Sequence, residues 1–196
     1  MTASRTGARP VPGDATRERL LDTAAELFYQ EGVGIGIQAL AKAAGVSKRS
    51  MYELFASKDE LLTAAVEQAT PGLLDILIPR TGAPDEPRAR ILHLFEQLER
   101  LATTPGYRGC PFLSVQVELK DPEHPASRAA AAAKNRMRDF FRDEAARGGA
   151  ADPETLARQL IMLYDGGATL AGAAGEKLDG ITLTTATALL DAAGIH

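Results

Sequence analysis

The chain has 196 residues, 45% of them apolar and 24% charged, which supplies a core for one or two compact domains and excludes a disordered chain. Its 22 Lys and Arg against 26 Asp and Glu give a net charge of −4, so no whole-surface coat for nucleic acid or anionic membrane exists and any such binding must be local. One cysteine excludes an intramolecular disulfide, and 5% aromatics without Trp argue against stacking platforms for single strands. No apolar run approaches the ~20 residues of a membrane span, and MTASRTGARPVPGD offers no signal-peptide core, so a soluble, cytoplasmic chain is expected.

Residues 1–13, with two Pro, two Gly and two Arg, read as a flexible arm. From Asp14, Leu20, Leu21, Ala24, Leu27 and Phe28 recur at helical spacing up to a stop at Gly32. Ile37, Leu40, Ala41 and Ala44 predict a two-turn helix ending at Gly45, and Ser47 caps a third carrying Met51, Tyr52, Leu54 and Phe55. Two short helices joined by one Gly-containing turn make a helix-turn-helix pattern. Ser57 with Glu60 three residues on is a capping box opening a fourth helix, which Pro71 and Gly72 are expected to bend or interrupt.

After a Pro79–Pro87 loop come five more helical segments. Ile91, Leu94, Phe95, Leu98 and Leu101 form one apolar stripe. Cys110–Leu119 is short and apolar, Ser127–Arg147 long and Ala-rich, and Asp152 with Pro153 opens a helix through Leu156, Leu160, Leu163 and Tyr164. Thr182 or Thr184 opens the last, to Ala193. The fold class is all-α: a small N-terminal unit over 14–60 followed by a larger bundle over 61–196.

Charge points to the small unit. Between Glu31 and Glu53 there is no acidic side chain, while Lys42, Lys48 and Arg49 leave the stretch at +3. Residues 1–60 balance eight bases against eight acids, so the whole net charge of −4 belongs to 61–196. Lys48, Arg49 and Ser50 fall in the first turn of the third helix, where free N–H groups and the helix dipole favour phosphate. A helix so presented can enter a major groove, with Lys58 reaching backbone phosphate. A rival G-x-G-x-x-A match, Gly34 to Ala39 with Glu53 downstream, lacks the preceding strand and βαβ context of a dinucleotide fingerprint.

Taken whole, TRERLLDTAAELFYQEGVGIGIQALAKAAGVSKRSMYELFASKDEL resembles the TetR/AcrR family of bacterial transcriptional regulators. The matching features are Ala-Ala-x-Leu-Phe ending the first helix, Leu40-Ala41-x-x-Ala44-Gly45-Val46-Ser47, Met51-Tyr52-x-x-Phe55 and Ser57-Lys58-Asp59-Glu60-Leu61, about 50 residues of 196. The resemblance implies DNA contacts by Gln38, Ser47, Lys48, Arg49, Ser50 and Tyr52, with Lys58 on the backbone. It also implies a homodimer paired through the last two long helices. Two departures stand out: Gly36 replaces the usual Ser or Thr cap of the second helix, and Leu54 occupies a place where the family often has His. More of the affinity is therefore expected to rest on Arg49, Tyr52 and Lys58.

The function expected is a homodimeric repressor of double-stranded operator DNA, released by a small hydrophobic ligand; the alternative is an all-helical binding protein or enzyme in which the helix-turn-helix is only scaffold. Candidate ligand-binding residues are Phe95, Cys110, Phe112, Gln116, Met137, Phe141 and Met162, with Val115, Phe140 and Tyr164 beside them; each is equally well explained as core. Gly167, Ala171 and Gly175, with Leu189, are candidates for the dimer interface, intramolecular packing being the other reading of a small-residue stripe. Cys110 at a helix N-terminus is either a stabilised thiolate or an inert buried hydrophobe. Lys134, Arg138 and Arg142 read as a solvated face. His93, His124 and His196 show no ligand spacing, so no metal and no cofactor are expected, and the acidic cluster Glu118, Asp121 and Glu123 makes a weak catalytic pair.

Overall fold

The structure, a computed structural model, describes residues 12–80 and 84–196. The arm assigned to 1–13 lies outside the described residues except for 12 and 13, which belong to the first helix. Nine helices and no strand occur among the described residues: α1 Pro12–Glu31, α2 Ile37–Ala43, α3 Lys48–Leu54, α4 Lys58–Leu77, α5 Pro87–Ala102, α6 Pro111–Leu119, α7 Pro125–Arg147, α8 Pro153–Gly172 and α9 Ile181–Ala192.

The starts follow from capping chemistry. Ser47 accepts the Ser50 N–H at the head of α3, and Ser57 accepts the Glu60 N–H at the head of α4. The Glu60 carboxylate reaches back to the Ala56 N–H at 2.7 Å, one residue beyond the N-cap that the reciprocal bond of a strict capping box takes. Four helices of the bundle, α5 to α8, open with proline, which needs no N–H partner there. Gly180, at φ 83°, has no side chain to cap α9; the Glu99 carboxylate of α5 does so instead, accepting from the N–H groups of Gly180 and Thr182 and from the Thr182 hydroxyl.

The interruption expected at Pro71 does not occur: α4 runs through to Leu77. Pro71 and Gly72 are exposed, so the carbonyl left without an N–H partner faces water, where the loss is mild.

Helix α1 packs on α2 and α4, and α3 on α2, over a small core of Leu20, Leu21, Ala24, Leu40, Met51 and Phe55. In the bundle α7 lies centrally, touching α4, α5, α6 and α8, while α9 closes on α5 and α8. Phe95 and Phe141 stack there, centroids 5.7 Å apart. Helix α4 is common to both parts, since it packs on α1 at one end and on α5 and α7 along its length. At the turn from α4 to α5, buried Arg90 pairs with Glu144 of α7 at 2.7 Å and donates to the carbonyls of Pro79, Arg80 and Pro84.

One crossing is unusually close. A Cβ on Gly172 of α8 would stand 2.0 Å from the Gly109 nitrogen, so the loop between α5 and α6 lies backbone against backbone on the end of α8.

Candidate nucleic-acid interface and interior cavity

Helix α3 is seven residues long and buries Met51 alone against α2, which turns the rest of it outward. Lys48, Arg49 and Tyr52 are exposed, the last at 46% despite its ring, and Lys48 lies 5.9 Å from the Tyr52 centroid. Ser47 and Ser50 are linked Oγ to Oγ at 2.9 Å beside the cap bond, so both have a structural task at the helix start. Lys58 begins α4 next to this surface, and Gln38 is exposed in the first turn of α2. These seven residues lie at the starts of α2 and α4 and along α3 with its cap.

The sequence reading missed a partner. The Arg49 guanidinium, 89% exposed, donates to Glu53 of the next turn at 2.9 Å, so the acid-free run is answered from just beyond its end. An exposed pair of this kind is worth at most about 1 kcal/mol and yields readily to a phosphate or base edge. Behind α3, Arg17 covers the Phe55 ring at 4.9 Å and Arg19 donates to the Ala44 carbonyl at 3.2 Å, fastening α1 under the turn.

A cavity of about 420 Å³ lies where α1, α4, α6, α8 and the loop between α5 and α6 meet. Phe28, Leu62, Ala65, Val66, Leu73, Leu101, Phe112 and Val115 supply most of its apolar wall, and Tyr29, Tyr107, Tyr164, Gln30, Glu26 and Glu118 its polar points. That size and composition are typical of small-molecule sites. Of the seven side chains expected at a ligand site, Phe112 alone lines it. Phe95, Met137 and Phe141 are fully buried in the bundle core, Gln116 is half-buried, and Met162 is 70% exposed on α8. The most apolar residues close the core, and the cavity falls where α1 leans on the bundle. Val115 and Tyr164, named beside them, do line it.

Cys110 is buried next to the cavity without lining it, and burial pushes its thiol above the ordinary range despite nearby Lys134 and helical N–H groups. The inert reading applies; a dipole-stabilised thiolate does not. The expected basic face divides too: Lys134 is nearly buried, bonded to Asp165 with its ammonium over the Tyr164 ring, and the Arg138 Nε is buried without a hydrogen-bond partner. Arg142 alone is solvated, between Asp139 and Asp143.

The cavity rim is also where α1 is tied to the bundle. The Tyr29 hydroxyl accepts the Arg108 N–H at 2.8 Å and donates to the Gly109 carbonyl at 3.1 Å. Gln30 donates to the Gly106 carbonyl and accepts from Arg108 Nε, and Glu118 accepts the Val33 N–H at 2.7 Å. Farther toward α3, the His124 Nδ1 caps α7 by accepting the Ala126 N–H while its Nε2 lies 3.5 Å from Asp59 of α4. Sequence reading passed over Tyr29, Gln30 and Tyr107. A signal was available, since three of the four tyrosines line the cavity and the fourth, Tyr52, stands on α3.

The small-residue stripe of α8 is split. Gly167 is buried, and a Cβ there would meet Thr182 at 2.6 Å and Leu98 at 3.3 Å, so it serves packing inside the chain and is removed from the dimer candidates. Ala171 and Leu189 are half-buried and Gly175 is exposed past the helix end. The outward face of α8 carries Met162, Gly166 and Leu170, with Ile181 exposed on α9.

Fold and surface define the class: a helix-turn-helix unit carried on a helical bundle with an internal cavity. Residues 20–65 match the family model for bacterial regulatory proteins of the tetR family. A TetR transcriptional regulator of Streptomyces avermitilis MA-4680, known as a crystal structure, is 52% identical with a TM-score of 0.89 over 92% of this chain and 99% of that one. A TetR-family regulator of Streptomyces coelicolor is 28% identical with a TM-score of 0.85, over 92% and 96%. The chain belongs to the TetR family. Among curated relatives, an uncharacterized HTH-type transcriptional regulator of Mycobacterium tuberculosis H37Rv is 37% identical over 38% of each chain. The HTH-type transcriptional activator FasR of Mycolicibacterium smegmatis is 34% identical over 54% of this chain and 49% of that one. The chain thus spans about two fifths to one half of the curated relatives' length. No helix among the described residues is long and apolar enough to cross a membrane.

Proposed function

We propose that this chain is a DNA-binding transcriptional regulator that acts as a homodimer, represses by occupying operator DNA, and is released by a small hydrophobic ligand. The observation that carries the DNA reading is the exposed set Lys48, Arg49 and Tyr52 on a helix whose start is fixed by the Ser47 cap, with Lys58 and Gln38 alongside. Tyr52 and Arg49 read base edges once Arg49 leaves Glu53; Lys48, Lys58, Ser47 and Ser50 hold phosphate. Residues 14–60 form the DNA-binding unit and 61–196 the ligand and dimer unit, with α4 shared between them.

Two copies would meet through Met162, Gly166 and Leu170 of α8 and the exposed side of α9, with Ala171, Gly175 and Leu189 at the edges. Symmetry would then set two α3 helices about one DNA turn, ~34–36 Å, or somewhat more apart. Ligand control works by population shift: the cavity is walled by α1 and α4, so a ligand that prefers a different seating of those helices prefers the wrong half-site spacing and lowers DNA affinity by that preference.

The test is operator selection from random DNA with the full chain and with Arg49→Ala plus Tyr52→Ala. The double variant is expected to lose sequence preference while keeping its helical content; retained preference would refute the assignment. Lys58→Ala should weaken all sequences alike and flatten the salt slope by about 1, the signature of one phosphate. The kinship with a protein named as an activator supports a second sign of action, and transcription from the selected operator in vitro decides between them.

A further inference from the structure

Resting on the reading of the cavity as a ligand site, its polar points select among ligands. The charged side chains lining it are Glu26 and Glu118; no Lys, Arg or His is among them. Lys134, the cation nearest Tyr164, is already bonded to Asp165. Both carboxylates are exposed at the rim, where Arg108 is bonded to Gln30, so an anionic ligand entering the cavity exchanges water for a chiefly apolar wall, which is disfavoured.

Most polar groups at the wall have partners. Tyr29 is held by Arg108 and Gly109, Gln30 by Gly106 and Arg108, Glu118 by Val33, and the Ser114 hydroxyl donates to the Cys110 carbonyl. Two hydroxyls differ. Tyr164 is 2% exposed, and neither its hydroxyl nor that of Tyr107 bonds to a described residue, although both side chains line the cavity. A phenol hydroxyl that opens on a cavity without a protein partner is a donor left to water or to a ligand. Burial disfavours ionisation of both phenols, so each remains an O–H donor at neutral pH, and Tyr107 adds to the effect at Tyr164.

We propose that the cavity binds a neutral, largely apolar carbonyl compound, a ketone or an ester, whose oxygen accepts hydrogen bonds from Tyr107 and Tyr164, and that it rejects the carboxylate of the same skeleton. The aliphatic wall of Leu62, Val66, Leu73 and Leu101 takes the hydrocarbon part. The apolar wall, with Glu26 and Glu118 exposed at its rim, disfavours acids.

Three probes of one size test this: butylbenzene, 1-phenylbutan-1-one and 4-phenylbutanoate, titrated calorimetrically into the full chain at pH 7. The ketone should bind about tenfold more tightly than the hydrocarbon, and the carboxylate more weakly than both. Tyr164→Phe and Tyr107→Phe, which keep ring packing, should each remove most of the ketone's advantage and leave butylbenzene unchanged. Ketone and hydrocarbon binding equally, or carboxylate matching ketone, would overturn the ligand class while leaving the cavity as a ligand site. No binding by any of the three would overturn both.

Discussion

Tyr52 and Tyr164 show how differently the same side chain is used. Tyr52 stays on the surface because α3 buries only Met51, and its exposed ring beside Lys48 is available for contact. Tyr164 is enclosed, and its hydroxyl faces no partner. Cys110 is the third case. With its thiol pushed up by burial, it remains protonated through neutral pH, and the thiolate that reacts with electrophiles is scarce. Native chain is therefore expected to react slowly with iodoacetamide at pH 8 and at the rate of a free thiol in denaturant; fast native labelling would show that burial does not protect it. Sequence alone left both readings of this cysteine open, because a helix N-terminus and a buried wall exert opposite effects and only packing decides between them.

Among the elements, α1 has two employments. Its inner face makes the small core with α2 and α4, and its last turn carries Phe28, Tyr29 and Gln30 into the cavity wall. The first was legible from helical spacing and from the caps at Ser47 and Ser57, which are local signals. The second was not, because the cavity joins residues about 80 apart in the chain through Tyr29 to Arg108 and Val33 to Glu118. Apolarity misled at this point: Phe95, Met137 and Phe141 are drawn to the driest place, and a cavity wall is built from what remains. Tyr29→Phe tests the tie directly. It removes one acceptor and one donor at the loop, so unfolding free energy should fall by about 1–2 kcal/mol and amide exchange at Arg108 should accelerate. Unchanged exchange at Arg108 would mean that other contacts hold the loop.

For the whole molecule, the charge distribution was legible in the sequence, whereas which side of α8 packs inside the chain was not. The net acidity belongs to 61–196, so the acid-free run from 32 to 52, which carries α3, is a stretch that DNA approaches with little repulsion. The α8 stripe was legible as helix packing but divided by the structure into an inner residue, Gly167, and an outer face bearing Met162, Gly166 and Leu170. Leu170→Arg on that outer face is expected to convert a dimer to a monomer in analytical ultracentrifugation and to cut operator affinity by about 100-fold or more through loss of the linked second site, with helical content unchanged. A dimer surviving Leu170→Arg would place the pairing surface elsewhere.

The contact between Gly109 and Gly172 bears on how such a protein can drift. Both partners are main chain, so a methyl group gained at Gly172 cannot be absorbed by a neighbouring side chain turning away. The loop itself must lift, and that loop roofs the cavity with Tyr107 and Gly109. A single change from Gly to Ala on α8 would thus reshape the cavity from behind while every side chain that faces it stays the same.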